Sequence, residues 1–270
     1  MSATVAVDGQ TVAYRESAGS GRPVVFVHGN SSSSKTWLPL LGGDLGRKYR
    51  CVAVDLPGHG DSPPATDPDV YSMPGYGSLV AGLATALGLE RAVYVGWSLG
   101  GHIAIEAAPG LPEPAGIAVF GTPPVSDPAG LATAFLPNPA VAVGFTPDVA
   151  AEQAREYAAS FLAPGSALPL DAFEADILAT DGAARGGLGA SIAAGRFADE
   201  VAIVSALTVP VAVLHGAGEQ LVSLDYLRQL DIPTLWRGEV QIVEGAGHAP
   251  HLEQTAAFAT LLDAFIDDCG

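Results

Sequence analysis

Gly96-Trp97-Ser98-Leu99-Gly100 sets a serine midway between two glycines, after the apolar run Val93-Tyr94-Val95 and before the helical stretch Gly101–Ala108. A serine held out of a strand–turn–helix corner is presented as a nucleophile, and glycine two residues to each side relieves the crowding of so tight a turn. Gly-x-Ser-x-Gly alone is a weak signal, because these are ordinary turn residues. It gains weight here from its flanking elements and from histidines far downstream. A serine hydroxyl needs a base to take its proton. His248, in Gly245-Ala246-Gly247-His248-Ala249-Pro250, follows the last apolar strand and is flanked by glycines that let the loop swing an imidazole over the strand ends. Its nearest competitor is His251. His28 and His215 end strands, and His102 lies inside the helix after the serine.

A carboxylate should orient that base and stabilise its charged form, and in this chain order it falls between serine and histidine. Glu219 is the first acid after the penultimate strand, with Asp225 and Asp127 as alternatives. Acyl transfer also requires donors for an oxyanion. The main-chain N–H of Leu99, at the start of the helix, is one. The N–H of Asn30, in His28-Gly29-Asn30-Ser31-Ser32-Ser33-Ser34, is the other. The Asn30 side chain either contacts substrate or bonds its own loop. Trp97 either faces a substrate chain or belongs to the core. Asp55 and Asp61, in Asp55-Leu56-Pro57-Gly58-His59-Gly60-Asp61-Ser62, read as loop anchors.

The elements that must position these residues alternate. A hairpin over Thr4–Val7 and Thr11–Arg15 turns at Asp8-Gly9. Strands follow at Val24–Val27, Cys51–Val54, Ala92–Val95, Gly116–Phe120, Val211–Leu214 and Val240–Val243, with helices at Thr36–Leu45, Tyr76–Leu87, Gly101–Ala108 and Thr255–Ile266. Continuous apolar strands separated by helices predict a mostly parallel, twisted sheet with helices on both faces. The alternation lapses over 125–201, which reads as a helical cap insertion, leaving 1–124 and 202–270 as the core domain. Its aromatics, Phe135, Phe145, Tyr157, Phe161, Phe173 and Phe197, should mostly pack the cap, with roughly a third facing a pocket.

The 270 residues carry a net charge of −17, which argues against a nucleic-acid partner or an anionic membrane surface. No apolar run reaches the roughly 18 residues of a span, and no basic and apolar leader is present. Two isolated cysteines, Cys51 and Cys269, suit a reducing, cytoplasmic compartment. The partner expected of an acyl-transfer site is a small-molecule ester substrate. No cofactor is called for, and oligomeric state is not encoded in any motif.

His28-Gly29-Asn30, Gly58-His59-Gly60-Asp61-Ser62, Gly96–Gly100 and Gly247-His248 together resemble the α/β-hydrolase superfamily. With Gly101-His102-Ile103, Gly121-Thr122-Pro123-Pro124-Val125 and Ala249-Pro250, the chain is similar to the AidH-type N-acyl homoserine lactonases over nearly its whole length. The likeness is weakest between Asp127 and Ser205. It implies an α/β-hydrolase fold and opening of a lactone ring by a Ser-His-Glu triad. Glutamate, where most of the superfamily has aspartate, agrees with that group and strengthens Glu219. The resemblance also implies that Asn30 and a cap tyrosine, here Tyr157, contact the lactone. The His-x-His-x-Asp-His cluster of metal-dependent lactonases does not occur, which implies metal-independent chemistry. A general carboxylesterase, or a small-molecule receptor on the same fold, is the competing expectation.

Overall fold

The computed structural model describes residues 2–270. Eight strands form one sheet in the order β1-β2-β4-β3-β5-β6-β7-β8. β1 (Ala3–Val7) and β2 (Gln10–Glu16) form the expected hairpin, Val7 opposite Gln10. Asp8 and Gly9 supply the positive φ (48° and 84°) that a two-residue turn requires. β2 joins β4 (Tyr49–Val54) antiparallel. From β4 onward, through β3 (Gly21–Val27), β5 (Val93–Trp97), β6 (Gly116–Phe120), β7 (Val211–Gly216) and β8 (Gln241–Val243), every pairing is parallel. β5 and β6 are buried along their whole length, the pattern of strands covered on both faces.

The order reverses at β3, which has β4 on one side and β5 on the other. At such a switch point the connections leave in opposite directions and open a crevice beyond the strands' carboxyl ends. Asn30 follows β3 and Ser98 follows β5, so both stand at this crevice.

Most expected elements are present with boundaries shifted by a few residues. The exception is Thr36–Leu45, which is a 3₁₀ turn (Ser34–Trp37) and two short helices (Leu38–Leu41, Asp44–Lys48). Pro39 limits where a helix can start, and Gly42-Gly43 ends it before Asp44. Between β6 and β7 no strand enters the sheet; helices Ala151–Ser160, Asp171–Ala179, Gly182–Ala193 and Glu200–Ala206 run there instead. Arg185 knits this helical segment, donating to the carbonyls of Thr146 (2.8 Å), Ile177 (2.9 Å) and Pro147 (2.8 Å). No helix among the described residues is long and apolar enough to cross a membrane.

Candidate active site

Ser98 occupies φ 54°, ψ −120°, a backbone region that non-glycine residues rarely adopt and that costs about 1–3 kcal/mol. The surroundings over-determine it. A Cβ on Gly96 would lie 2.3 Å from the Gly100 carbonyl oxygen, and one on Gly100 would lie 2.1 Å from that of Val27. Ser98 N–H donates to the Phe120 carbonyl (2.9 Å), and the Ser98 carbonyl accepts from Gly101 N–H (2.9 Å) and the Thr122 hydroxyl (2.8 Å). Helix Leu99–Ala107 begins directly after the serine and aims its unpaired amides and positive end at the crevice.

His248 and Glu219 meet. Glu219 Oε2 is 2.8 Å from His248 Nδ1, and Oε1 accepts the Leu221 N–H at 2.8 Å. Both side chains are buried, at 2% and 1% exposure. Burial alone would push the Glu219 carboxyl up. The charge and hydrogen bond of His248, with the Leu221 amide, outweigh it and hold Glu219 below the ordinary carboxylate range. An ionised carboxylate only accepts, so Nδ1 carries a proton and the neutral ring presents Nε2 as an acceptor. That Nε2 is buried with no protein partner. Ser98 and His248 line one cavity without being hydrogen-bonded to each other; such contacts are often long before substrate binds.

The base loop is pinned on every side. Gly247 N–H donates to Glu253 (2.6 Å), Ala249 N–H to the Phe161 carbonyl (2.9 Å), and the Trp97 indole to the His248 carbonyl (2.8 Å). This corrects the substrate-facing expectation for Trp97. It is 1% exposed, packs edge-on to Phe161 at 5.5 Å, and does not line the cavity. β5 side chains alternate across the sheet, and its last one points into the core behind the base.

The alternative acids lie elsewhere. Asp127 closes its own turn on the N–H groups of Ala129 (2.7 Å) and Gly130 (3.1 Å), and Asp225 is exposed. Asp55 accepts from Ser34 N–H (2.6 Å) and Asp61 N–H (3.1 Å), and Asp61 pairs with Arg15 at 2.7 Å, as loop anchors do.

His28 and His251 are structural. His28 Nε2 accepts from Leu56 N–H (3.1 Å), so its Nδ1 donates to the Gly29 carbonyl (2.7 Å). His251 bonds Thr36 at 2.7 Å inside an aromatic nest. Burial lowers His28 to about 4, and His59 and His251 to about 3. Folded values below the ordinary 6.5 mean that the unfolded chain binds more protons between these limits. The stability is therefore present in full above pH about 6.5 and is lost as pH falls toward 4. Thermal melts between pH 7 and 5 should move steadily downward; a flat profile would contradict the burial of these rings.

The cavity, of about 380 Å³, is mostly apolar. Four of the six aromatics in the helical segment line it (Phe135, Phe145, Tyr157 and Phe197), more than the third expected. Helix Gly182–Ala193 packs through glycines, so the large side chains are left to fill the crevice: a Cβ on Gly187 would stand 2.7 Å from Tyr71. Asn30, Leu99 and Tyr157 are all on the wall. Asn30 Nδ2 donates to the Gly144 carbonyl (2.6 Å) and Oδ1 accepts from the Ser31 hydroxyl (3.1 Å), so its side chain ties loop to helical segment while facing the cavity. Tyr157 packs on Phe161 at 4.6 Å, and a Cβ on Gly144 would lie 2.6 Å from its hydroxyl oxygen. Among the described residues, no group of three or more His, Cys, Asp or Glu is arranged to hold a metal.

Two features escaped the sequence reading. Gly121 (φ +61°) lies against the His248 ring; a Cβ there would stand 2.5 Å from Cε1 and 2.8 Å from Nδ1. Gly121→Ala should lower kcat about 10- to 100-fold by displacing the ring, with a lower melting temperature from the positive φ. Ester-hydrolysis kinetics beside a melt check this, and wild-type turnover would sink it. The other is a second buried pair, His102–Glu200, on the cavity wall.

The alpha/beta hydrolase family model matches residues 24–261. Among solved structures, N-acyl homoserine lactonase AidH complexed with N-butanoyl homoserine is 36% identical with TM-score 0.94, covering 100% of this chain and 97% of that one. The esterase RhEst1 from Rhodococcus sp. ECU1013 is 26% identical with TM-score 0.80, covering 100% and 99%. The dihydrolipoyllysine-residue acetyltransferase component of the acetoin cleaving system of Cupriavidus necator is 37% identical over 108 residues, 40% of this chain and 28% of that protein. Pimeloyl-(acyl-carrier protein) methyl ester esterase of Xylella fastidiosa is 36% identical over 104 residues, 38% of each. The matched stretch thus spans less than two thirds of these curated relatives' length. A strained serine corner at the switch point of a parallel sheet is how this fold presents a nucleophile, and with the family model running from β3 into the last helix, the chain belongs to the alpha/beta hydrolase family.

Proposed function

We propose that this protein is a metal-independent serine hydrolase that opens the lactone ring of N-acyl homoserine lactones. The observation that carries the chemistry is the Glu219–His248 pair at 2.8 Å, whose free Nε2 shares a cavity with the strained Ser98. The lactone is supported by the 36% identity to AidH across the full chain and by a mostly apolar cavity suited to an acyl chain.

Ser98 Oγ adds to the ring carbonyl as its proton passes to His248 Nε2, and Glu219 stabilises the imidazolium. The oxyanion takes the N–H groups of Leu99 and Asn30. On collapse the ring C–O bond breaks and His248 returns the proton to the departing oxygen. That oxygen stays tethered, giving a ring-opened acyl-enzyme. Water, deprotonated by the same histidine, then releases N-acyl homoserine. Asn30 and Tyr157 bind the lactone, and the segment 125–201 acts as a cap over the strand ends.

The test is product mass from a series of acyl homoserine lactones. The reading requires the substrate plus one water, no free fatty acid, and no effect of a chelator. Fatty acid release, or turnover of simple aryl esters with every lactone untouched, would overturn it.

A further inference from the structure

The second imidazole–carboxylate pair opens onto the same cavity. His102 is 5% exposed, and its Nδ1 lies 2.9 Å from both oxygens of Glu200, itself fully buried at the start of helix Glu200–Ala206. Glu200 Oε2 also accepts the Val125 N–H at 3.0 Å. Every contact of this carboxylate is with a donor. The neutral His102 ring therefore carries its proton on Nδ1 and presents Nε2 as an acceptor. Among the described residues the His102 ring hydrogen-bonds through Nδ1 only, and the cavity that His102 lines has Leu131, Phe135, Leu188, Ile192 and Phe197 on its wall.

A purely structural pair would explain the joint between the helices. Glu200 is also fixed independently of the imidazole, to the loop after β6, by Glu200 N–H to the Val125 carbonyl (3.0 Å) and Val125 N–H to Glu200 Oε2 (3.0 Å). Neither bond needs an imidazole facing the cavity. An apolar pocket with few convergent polar groups uses those groups to recognise its ligand.

The spacing says which ligand atom. Ser98 caps the helix and His102 lies one turn into it, its N–H donating to the Ser98 carbonyl at 3.3 Å. The two residues are thus separated by about 6 Å along the helix's first turn. Five covalent bonds of extended chain cover about the same 6 Å. In an N-acyl homoserine lactone, five bonds lead from the ring carbonyl carbon through the amide to the third carbon of the acyl chain. We propose that His102, held by Glu200, is a specificity-determining residue whose Nε2 accepts a hydrogen bond from a hydroxyl on that third carbon. This deepens the lactonase reading and rests on it. Glu200 is a positioning residue that fixes the tautomer and angle of the ring.

The experiment compares kcat and KM for three lactones of equal chain length, unsubstituted, 3-hydroxy and 3-oxo. Wild type should favour the 3-hydroxy substrate over the unsubstituted one about tenfold in kcat/KM, mainly through KM. His102→Leu should bring that ratio close to one. His102→Gln, which keeps an acceptor, should recover part of it, and Glu200→Gln should shrink it. Thermal melts identify any variant that does not fold, and the wild-type ratio stands without the variants. Lactones opened with no 3-hydroxy preference, a ratio unmoved by His102→Leu, or a preference for the 3-oxo substrate would overturn the anchor alone. No lactone opened at all would overturn the lactonase reading and the anchor with it.

Discussion

Ser98→Ala should lower kcat by about 10⁴-fold or more on every ester and lactone the protein turns over, while the fold and melting temperature stay near wild type. On the proposed mechanism the activity loss follows from removing the hydroxyl that forms the acyl-enzyme at the helix N-terminus. The retained stability follows from how Ser98 is held. Its backbone carbonyl and N–H carry the corner's hydrogen bonds, to Gly101, Thr122 and Phe120, and none of these involves the hydroxyl. Alanine keeps the same Cβ, so the positive φ is neither relieved nor worsened. The residual rate should remain above that in water, because the oxyanion donors and cavity are intact. Saturating kinetics beside a melt check this. A variant retaining a tenth of wild-type kcat would show that another nucleophile does the work.

Glu219→Gln should lower kcat by about 10³- to 10⁴-fold, the range seen when a buried triad acid becomes an amide. Both Glu219 oxygens accept, one from His248 Nδ1 and one from Leu221 N–H. Glutamine has one oxygen and one NH₂. Either the NH₂ faces the Leu221 amide, leaving donor against donor, or it faces Nδ1 and turns that nitrogen into the acceptor. In the second case the ring proton moves to Nε2, which then cannot take the Ser98 proton. The site is buried, so an unmet donor also destabilises by about 1–3 kcal/mol. Activity near wild type in Glu219→Gln, with loss in Asp127→Asn, would move the acid to the other strand end.

How far this site is readable in advance depends on the range of the contacts that make it. Ser98, the β5 run before it and the glycines around it are local, and the elbow was legible from Gly96 to Gly100. His248 and Glu219 are 29 residues apart, and both were candidates from the sequence because each lies in the loop after a strand of the mostly parallel sheet that the alternation implies. Gly121 and Glu200 had no such signal. Gly121 matters only because the His248 ring, held on the loop after β8 two strands away, comes to rest on it. His102 and Glu200 are 98 residues apart and meet through the packing of the helical segment, which carries no periodic strand pattern to place it. Trp97 was ambiguous because a tryptophan beside a reactive serine has two faces of a sheet open to it. The alternation of β5 decides in favour of the core.

The central claim, that Ser98 with His248 and Glu219 opens a lactone, is tested most directly by covalent titration with a fluorophosphonate while lactone opening is followed on the same sample. One label per chain should accumulate on the peptide that contains Ser98, and lactone opening should fall in proportion and reach zero at one equivalent. Labelled protein that still opens lactones, or activity lost with the label on another residue, would contradict the account.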